Sequence, residues 1–400
     1  MVEMLQFVER DVERRFTGGL VLHRRRIRSV FHNGRPSPRR GSGIGDAGCM
    51  GRALALWNGH RLLTESPRKL ARAYAEERLV RVRPGYYFPA DEWSGLTAWD
   101  RYGLSLAAHA AARPDTVFCG PTALFLWKVS MMTTPTALHV MTSRPTGGRT
   151  TPGLVSKARL SPQARLALGG AAEVKRHFRK HAVEDVDGFA VAALVPTVVE
   201  QAATQELPGA VVVLDSFRRR YDELRAGDRG LPEAFGVLVD AADSLGSPTA
   251  RDRFRDRLAL SSGLAESAGE SLSRVGIREL GFETPVEQHE FTLSDGSKAR
   301  TDFYWPRARL IGEFDGQVKY SEPSMMSGRS EAEVRREEKR REELLKRSGL
   351  HVFRWTWTEA MNPATFENIL SGNGVPRRSR GSAVDVPGRA TASGPSARSA

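Results

Sequence analysis

The chain has few cysteines and no long apolar run. Cys49 and Cys119 are its only cysteines in 400 residues, which excludes a disulfide framework and a cysteine-based zinc site. No segment approaches the roughly 18 consecutive apolar residues that a membrane helix needs. The first thirty residues also lack the apolar core and small-residue cleavage site of a secretory signal. We therefore expect a protein of the reducing cytoplasm, without a membrane partner.

The formal net charge of +13 is compatible with a nucleic-acid partner. Much of it lies at the two ends, because residues 1–50 carry +5 and residues 371–400 carry +4, which leaves +4 for the body. Both ends are rich in Arg, Gly and Ser, so we predict a disordered basic arm at 1–50 and a disordered tail at 371–400. Two interpretations of the arm stay open: it contacts a phosphate backbone, or translation begins later, at Met50.

Residues 51–95 have the pattern of a small DNA-binding unit. GRALALWNGHRLLT predicts one or two helices, and ESPRKLARAYAEERLVRV predicts a helix with Leu70, Tyr74 and Leu79 facing inward. The segment RVRPGYYFP alternates around a Pro-Gly turn and predicts a β-hairpin. This is the outline of a winged helix. The candidate DNA contacts are Arg68, Lys69, Arg72, Arg81 and Arg83. A small packing domain with a solvated charged face explains the pattern equally well.

Residues 100–225 predict a mixed α/β domain. LSLAAHAAAR and FCGPTALFLWKV are helical, ALHVMTS is a strand, and FAVAALVPTVVEQAA passes from a strand into a helix at Pro196. His177 and His181 have i,i+4 spacing on a predicted helix, but no carboxylate stands beside them, so we expect no metal there. Residues 226–262 predict a charged helical connector.

The stretch RTDFYWPRARLIGEFDGQVK, at 300–319, carries most of the acidic chemistry. Two apolar-rich runs joined by a Pro turn predict adjacent strands, which place Glu313 and Asp315 on one face and Asp302 on the neighbouring strand. Such a set predicts a site for Mg²⁺ or Mn²⁺, since Mg²⁺ is held by few carboxylates plus waters. Glu270, on a helix predicted to carry Glu266 one turn earlier, and Lys319 complete the candidate catalytic group.

An alternative for this acid cluster is a surface hairpin whose acids pair with nearby arginines, such as Arg300, Arg307 and Arg309. The order of predicted elements over 263–370 is α-β-β-β-α-β, which favours the site over a chance cluster.

The same order and motif resemble the PD-(D/E)XK nucleases, in the branch of very-short-patch-repair endonucleases. The matching positions are Glu270, Asp302, Glu313, Asp315, Gly316, Arg341, Leu344, Leu345, Arg354 and Trp355. The resemblance implies a restriction-endonuclease-like domain that hydrolyses DNA with Mg²⁺ or Mn²⁺, and DNA contacts by Arg341 and Arg354. The chain departs from the family at two positions: Asp315 stands where a lysine is usual, and Lys319 where the closer branch often has a histidine.

The N-terminal half resembles the AbiEi family of type IV antitoxins. The matching segments are GYYFP, CGPTALFLW, LHVMTSR and VPTVVEQA. This resemblance implies a DNA-binding transcriptional regulator with a cognate toxin as partner.

Three hypotheses follow. The first is a DNA-acting α/β protein with a winged helix at 51–95, an antitoxin-like domain at 100–225 and an endonuclease-like domain at 263–370. The second is a non-enzymatic regulator that keeps the nuclease fold only for binding. The third is a scaffold without a nucleic-acid role.

Overall fold

The fold is known from a computed structural model. The structure describes residues 67–76, 78–83, 86–143, 150–151, 172–178, 181–227, 232–316 and 331–378. The predicted arm at 1–50, the helices predicted within 51–64 and the candidate residue Lys319 lie outside these ranges. Within them the protein is a mixed α/β structure with twelve α-helices and three sheets, which confirms the predicted class. None of these helices is long and apolar enough to cross a membrane.

The described chain begins with a helix, a hairpin and two further helices. These are α1 (Pro67–Ala75), β1 (Leu79–Arg83), β2 (Tyr86–Pro89), α2 (Ala90–Gly95) and α3 (Ala98–Ala112). The hairpin has the predicted position, and Val80 pairs with Phe88. Its apolar face packs with Trp93 and Leu104 from the two following helices. Leu79 is buried as expected, but it lies on β1 because α1 ends four residues earlier.

A six-stranded sheet follows, in the spatial order β5-β6-β4-β3-β8-β7. Its strands are β3 (Val117–Phe118), β4 (Ala137–Thr142), β5 (Thr150–Thr151), β6 (Glu173–Phe178), β7 (Val183–Val186) and β8 (Phe189–Ala192). The pairs β4–β6 and β3–β8 are parallel, and the other neighbours are antiparallel. The sequence FCGPTALFLWKV, at 118–129, predicts one helix. It is instead the short strand β3 followed by a helix that begins at Gly120, whose φ of +52° turns the chain.

Helices cover this sheet and lead to the C-terminal part. They are α4 (Gly120–Leu126), α5 (Leu194–Thr204), α6 (Leu207–Gly227), α7 (Ala234–Ala241) and α8 (Pro248–Leu260), with a 3-10 turn at Ala242–Ser244. Leu124, Val198, Val213 and Phe217 are fully buried in the shared core. Apolar side chains on consecutive turns of these helices therefore form one continuous core with the sheet.

The predicted histidine pair has a different arrangement. His177 lies on β6 rather than on a helix, and its Nε2 is 2.9 Å from Nδ1 of His139 on β4. His181 lies instead 3.1 Å from the Glu200 carboxylate. Burial, followed by the nearby charge of His177, lowers the pKa of His139 to about 4. His139 is thus neutral near pH 7 and stacks on the His177 ring.

Residues 268–372 have the predicted α-β-β-β-α-β order and end in two short helices. The elements are α9 (Ala268–Glu279), β9 (Val286–Thr292), β10 (Lys298–Trp305), β11 (Leu310–Asp315), α10 (Glu331–Arg347), β12 (His351–Thr356), α11 (Trp357–Ala360) and α12 (Pro363–Gly372). The sheet order is β12-β11-β10-β9. Strands β9, β10 and β11 are antiparallel, while β12 returns through α10 to lie parallel to β11.

The start of the predicted tail belongs to this fold. Val375 is 5% exposed, and Arg377 forms a bridge with Phe282 and places its guanidinium 3.9 Å from the Phe282 ring centroid. The remaining boundaries proposed from the sequence stay predictions.

Stability is expected to fall in mild acid because of His109 on α3. Burial, then the positive charges of Arg83, Arg113 and Arg176, lowers the pKa of His109 to about 4. The unfolded chain has a histidine pKa of about 6.5, so between these values only the unfolded state takes up the proton. The free energy of unfolding therefore falls by about 3 kcal/mol by pH 4. Denaturant unfolding at a series of pH values measures this effect. Between pH 6.5 and 4 the free energy of unfolding should fall less steeply with pH in H109F than in the wild type. An equal pH dependence in both would show that His109 is not the cause of the acid sensitivity.

Candidate functional site

The regular pairing of β10 with β11 ends just before Asp302 and Glu313. The β10–β11 ladder runs from Trp305 and Leu310 to Phe303 and Gly312. Continued by one residue, this register places Asp302 across from Glu313. The Phe314 amide donates to Oδ2 of Asp302, at 2.9 Å. The predicted placement of Asp302 on the strand beside Glu313 is thus present, at the end of the ladder.

Glu313 is held by two arginines. Arg341 of α10 donates to Oε1, and Arg354 of β12 donates to Oε2 through Nε at 3.2 Å and Nη2 at 3.0 Å. The Glu313 side chain is only 12% exposed. A carboxylate so removed from water needs compensating donors, and two guanidinium groups supply them.

The arginine contacts continue into a chain of charges along α10. Arg354 also donates to Glu342, at 2.6 Å, and Glu342 lies 2.6 Å from the Lys346 ammonium. The hydrogen bond from Lys346, followed by that from Arg354, lowers the pKa of Glu342 despite its partial burial. Arg341 additionally donates to the Arg300 carbonyl, at 3.0 Å. We name the group Arg341, Glu313 and Arg354 the arginine clamp.

The arginines that were expected as alternative partners of the acid cluster are engaged elsewhere. Arg300 pairs with Glu266, and Arg309 donates to the carbonyls of Ser348 and Gly349. Arg307 is exposed. The neutralising cations therefore come from α10 and β12, not from the acid-bearing hairpin itself.

Glu270 is a helix-capping group in this structure. Ser267 caps α9, and its hydroxyl accepts from the Glu270 amide at 3.2 Å. The Glu270 carboxylate accepts in return from the Ser267 hydroxyl, the Glu266 amide and Gln288 Nε2, each at 2.8 Å. It is 7% exposed. These bonds satisfy donors at the helix start. Glu266 precedes the helix, which corrects the expectation that both glutamates share one helical face.

The start of α9 nevertheless lies directly on β11. A Cβ atom at Gly269 would meet the Phe314 ring at 2.0 Å, and one at Gly312 would meet the Trp355 ring at 2.5 Å. Only glycine permits the close approach of α9 to Phe314 at Gly269 and of the β12 residue Trp355 to β11 at Gly312. The start of α9 therefore packs with Phe314 on one face of the sheet. Arg341 of α10 reaches Glu313 on the other face, where Ile311 packs with Leu345.

The donor set suits a hard divalent cation to a limited degree. Asp302 and Glu313 are oxygen donors on neighbouring strands, and Mg²⁺ is often held by one or two carboxylates with water completing its coordination. Among the described residues, no group of three or more His, Cys, Asp or Glu is arranged to hold a metal. Asp315 ends β11 in register with Thr356 and does not complete such a group. The residues therefore fit a two-carboxylate site.

The candidate DNA contacts of the N-terminal unit are only partly at the surface. Arg68 and Arg72 are exposed on α1, and Arg72 pairs with Glu76. Arg81 is half-buried, with its guanidinium 5.5 Å from the Tyr74 ring centroid. Arg83 is 5% exposed and donates to the Ala172 carbonyl, so it faces the protein interior rather than an exposed wing. Of the Lys69 side chain the structure gives no description.

Sequence reasoning missed the residues that fix these side chains. Ser267 and Glu270 have the S-x-x-E spacing of a capping box, which was the available pattern. Glu342 and Gln288 give no such local pattern, because their partners Arg354 and Glu270 lie 12 and 18 residues away.

Comparison of the chain with protein-family models, with curated proteins and with solved structures finds no match in any of the three.

Proposed function

We propose that this chain is a DNA-acting protein whose C-terminal part is a metal-dependent endonuclease-like domain. The observation that carries the proposal is the placement of Asp302 across from Glu313 at the end of the β10–β11 ladder, with arginines of α10 and β12 beside them. Carboxylates that can hold a hard cation, next to guanidinium groups that fit phosphate, are what phosphodiester hydrolysis requires.

Each residue has a role in this proposal. Asp302 and Glu313 hold a Mg²⁺ or Mn²⁺ ion, which when bound lowers the pKa of a water and neutralises charge on the phosphate. Arg341 and Arg354 bind and orient the phosphodiester. Asp315 and Lys319 are the further candidates for orienting the nucleophile or stabilising charge. Glu270 holds the start of α9 to Gln288 of β9.

The N-terminal half is proposed to bind DNA. Arg68 and Arg72 on the exposed side of α1 and the hairpin of β1 and β2 are the surface that supports this role.

The second candidate is a non-enzymatic DNA-binding regulator of the antitoxin kind, with a toxin as partner. Both oxygens of Glu313 are occupied by arginines, and this favours it. A carboxylate so neutralised contributes to folding and phosphate binding without any cation.

A cleavage assay separates the two candidates. We expect the full chain to nick plasmid DNA with Mg²⁺ or Mn²⁺, and D302N to nick at least about a hundredfold more slowly, the size of effect found when one charge-stabilising group is removed. Asparagine keeps an oxygen for the Phe314 amide, so the fold should persist. D256N, an equivalent change at an exposed position on α8, is the control and should cleave like the wild type.

The other outcomes are equally specific. An absence of nicking with either cation, together with retardation of DNA at moderate salt, contradicts the enzyme and leaves the regulator. An absence of both nicking and DNA binding contradicts both and leaves the scaffold.

A further inference from the structure

The two guanidinium groups of the arginine clamp repel a cation that approaches Glu313. Glu313 carries one negative charge, but two guanidinium groups contact it, so the local charge is positive before Glu342 is counted. A divalent cation that approaches Glu313 meets like charges within hydrogen-bonding distance of both carboxylate oxygens. With Glu313 12% exposed, water screens this repulsion weakly. The carboxylate is thus a poor cation ligand while both arginines hold it.

Both arginines can leave without becoming buried and unpaired. Their side chains are 35% exposed for Arg341 and 42% for Arg354. Arg354 would keep its bond to Glu342, and Arg341 its bond to the Arg300 carbonyl. A guanidinium fork binds a phosphate as readily as a carboxylate, because both offer two anionic oxygens at a similar spacing. A phosphodiester is therefore a suitable replacement partner.

We propose that the arginine clamp is an autoinhibitory contact that exchanges partners when a nucleic-acid phosphate binds. The phosphate takes Arg341 and Arg354, and Glu313 becomes free to join Asp302 as a cation ligand. The proposal rests on the proposed function, since it concerns the same two carboxylates. It adds that the cation site is incomplete in the DNA-free protein and is assembled by the substrate.

A thermodynamic consequence follows. If phosphate binding frees Glu313, phosphate and cation must each strengthen the binding of the other by the same factor. Such couplings between sites are commonly about 5- to 150-fold. Removing a clamp arginine should strengthen cation binding without DNA, and should also remove most of the effect of DNA on the cation.

The test measures Mn²⁺ binding to the full chain from the electron paramagnetic resonance signal of free Mn²⁺. We expect R341Q and R354Q to lower the Mn²⁺ dissociation constant by about tenfold. The matched control is R300Q, which removes the same charge from the neighbouring strand without touching Glu313 and should keep the wild-type value. A duplex oligonucleotide, measured before a gel detects its cleavage and corrected for its own Mn²⁺ binding, should strengthen binding to the wild type about tenfold. It should have little effect on R341Q/R354Q.

Several results would overturn the clamp. Circular dichroism first establishes that each variant is folded. If R341Q, R354Q and R300Q then bind Mn²⁺ with equal affinity, or none of them binds it, the proposed autoinhibition is contradicted. If all three variants bind Mn²⁺ more tightly than the wild type by the same factor, the effect is general charge repulsion and not a specific contact with Glu313. The outcomes also separate from those of the proposed function. A wild type that cleaves DNA with Mn²⁺ binding indifferent to the clamp arginines contradicts only the clamp. Variants that bind Mn²⁺ more tightly in a chain that never cleaves support the clamp and contradict cleavage.

Discussion

Replacement of Arg274 by methionine is expected to lower the free energy of unfolding by about 3–5 kcal/mol, the cost of breaking a buried ion pair by removing one partner. Arg274 of α9 pairs with Asp215 of α6, which is 1% exposed, and its Nε lies 3.2 Å from the Glu287 carboxylate on β9. Asp215 also accepts from the amides of Ser262 and Gly263. These three side chains join the helical layer of the N-terminal half to the C-terminal sheet. Their loss should therefore destabilise both parts of the protein.

The effect should depend on pH in a defined direction. Burial already raises the pKa of Glu287 even with Arg274 beside it. Without the arginine, the charged form of Glu287 becomes still less favourable in the folded state, so the destabilisation is greatest near neutral pH and shrinks as the pH falls and Glu287 takes up a proton.

Urea unfolding monitored by circular dichroism measures this loss. The control is R255M on α8, where surface contacts of 3.6 and 3.8 Å should contribute about 0–1 kcal/mol. In R274M/D215N, part of the stability should return because one uncompensated charge is gone. A loss in R274M no larger than in R255M would show that the buried group does not hold the two halves together.

Substitution of Gly269 by alanine is the second change with a large expected effect. Its Cβ would lie 2.0 Å from the Phe314 ring, which is 9% exposed and packed edge-on against Trp357. The ring or the helix must move, and overpacking of this kind typically costs about 1–3 kcal/mol. Because Phe314 lies between Glu313 and Asp315 in sequence, the shift should also disturb the carboxylates and lower any cleavage activity.

A control and a double-mutant cycle make this prediction specific. G236A, in α7, has open space around the new methyl group and should stabilise the protein by about 0.5–1 kcal/mol, since alanine favours the helix. G269A/F314L should be more stable than the two single changes added together, because leucine leaves room for the methyl group. Additive effects would mean that the Phe314 ring is not the obstacle.

The parts of the fold that the sequence predicts are those with local periodicity. Buried residues of β10 alternate with exposed or half-buried ones along all eight positions, and the Asp295-Gly296 turn separates this strand from β9, so the order of the two strands is readable. β3 has only two residues and no periodicity, which is why its second residue, Phe118, was assigned to the helix that follows.

Of the residues at the candidate site, the sequence predicts only the placement of the carboxylates. Asp302 and Glu313 lie eleven positions apart on one hairpin, and hairpin register brings them across from each other. The arginines that occupy Glu313 come from 28 and 41 residues further along the chain, and the carbonyl that holds Arg83 from 89. Such partners are fixed by packing of distant elements, for which a single sequence offers no local pattern.

The parallel pairing of Arg354 with Glu313 also determines how β12 must align when the chain folds. Side chains alternate between the faces of a sheet, so a slip of one residue would place Phe353 or Trp355 beside Glu313 and turn Arg354 toward the aromatic core around Phe303 and Trp305. A guanidinium there would lack a partner, and Glu313 would keep only Arg341. One ion pair thereby discriminates against the misaligned strand, and the same charges that hold the candidate site also select the correct sheet.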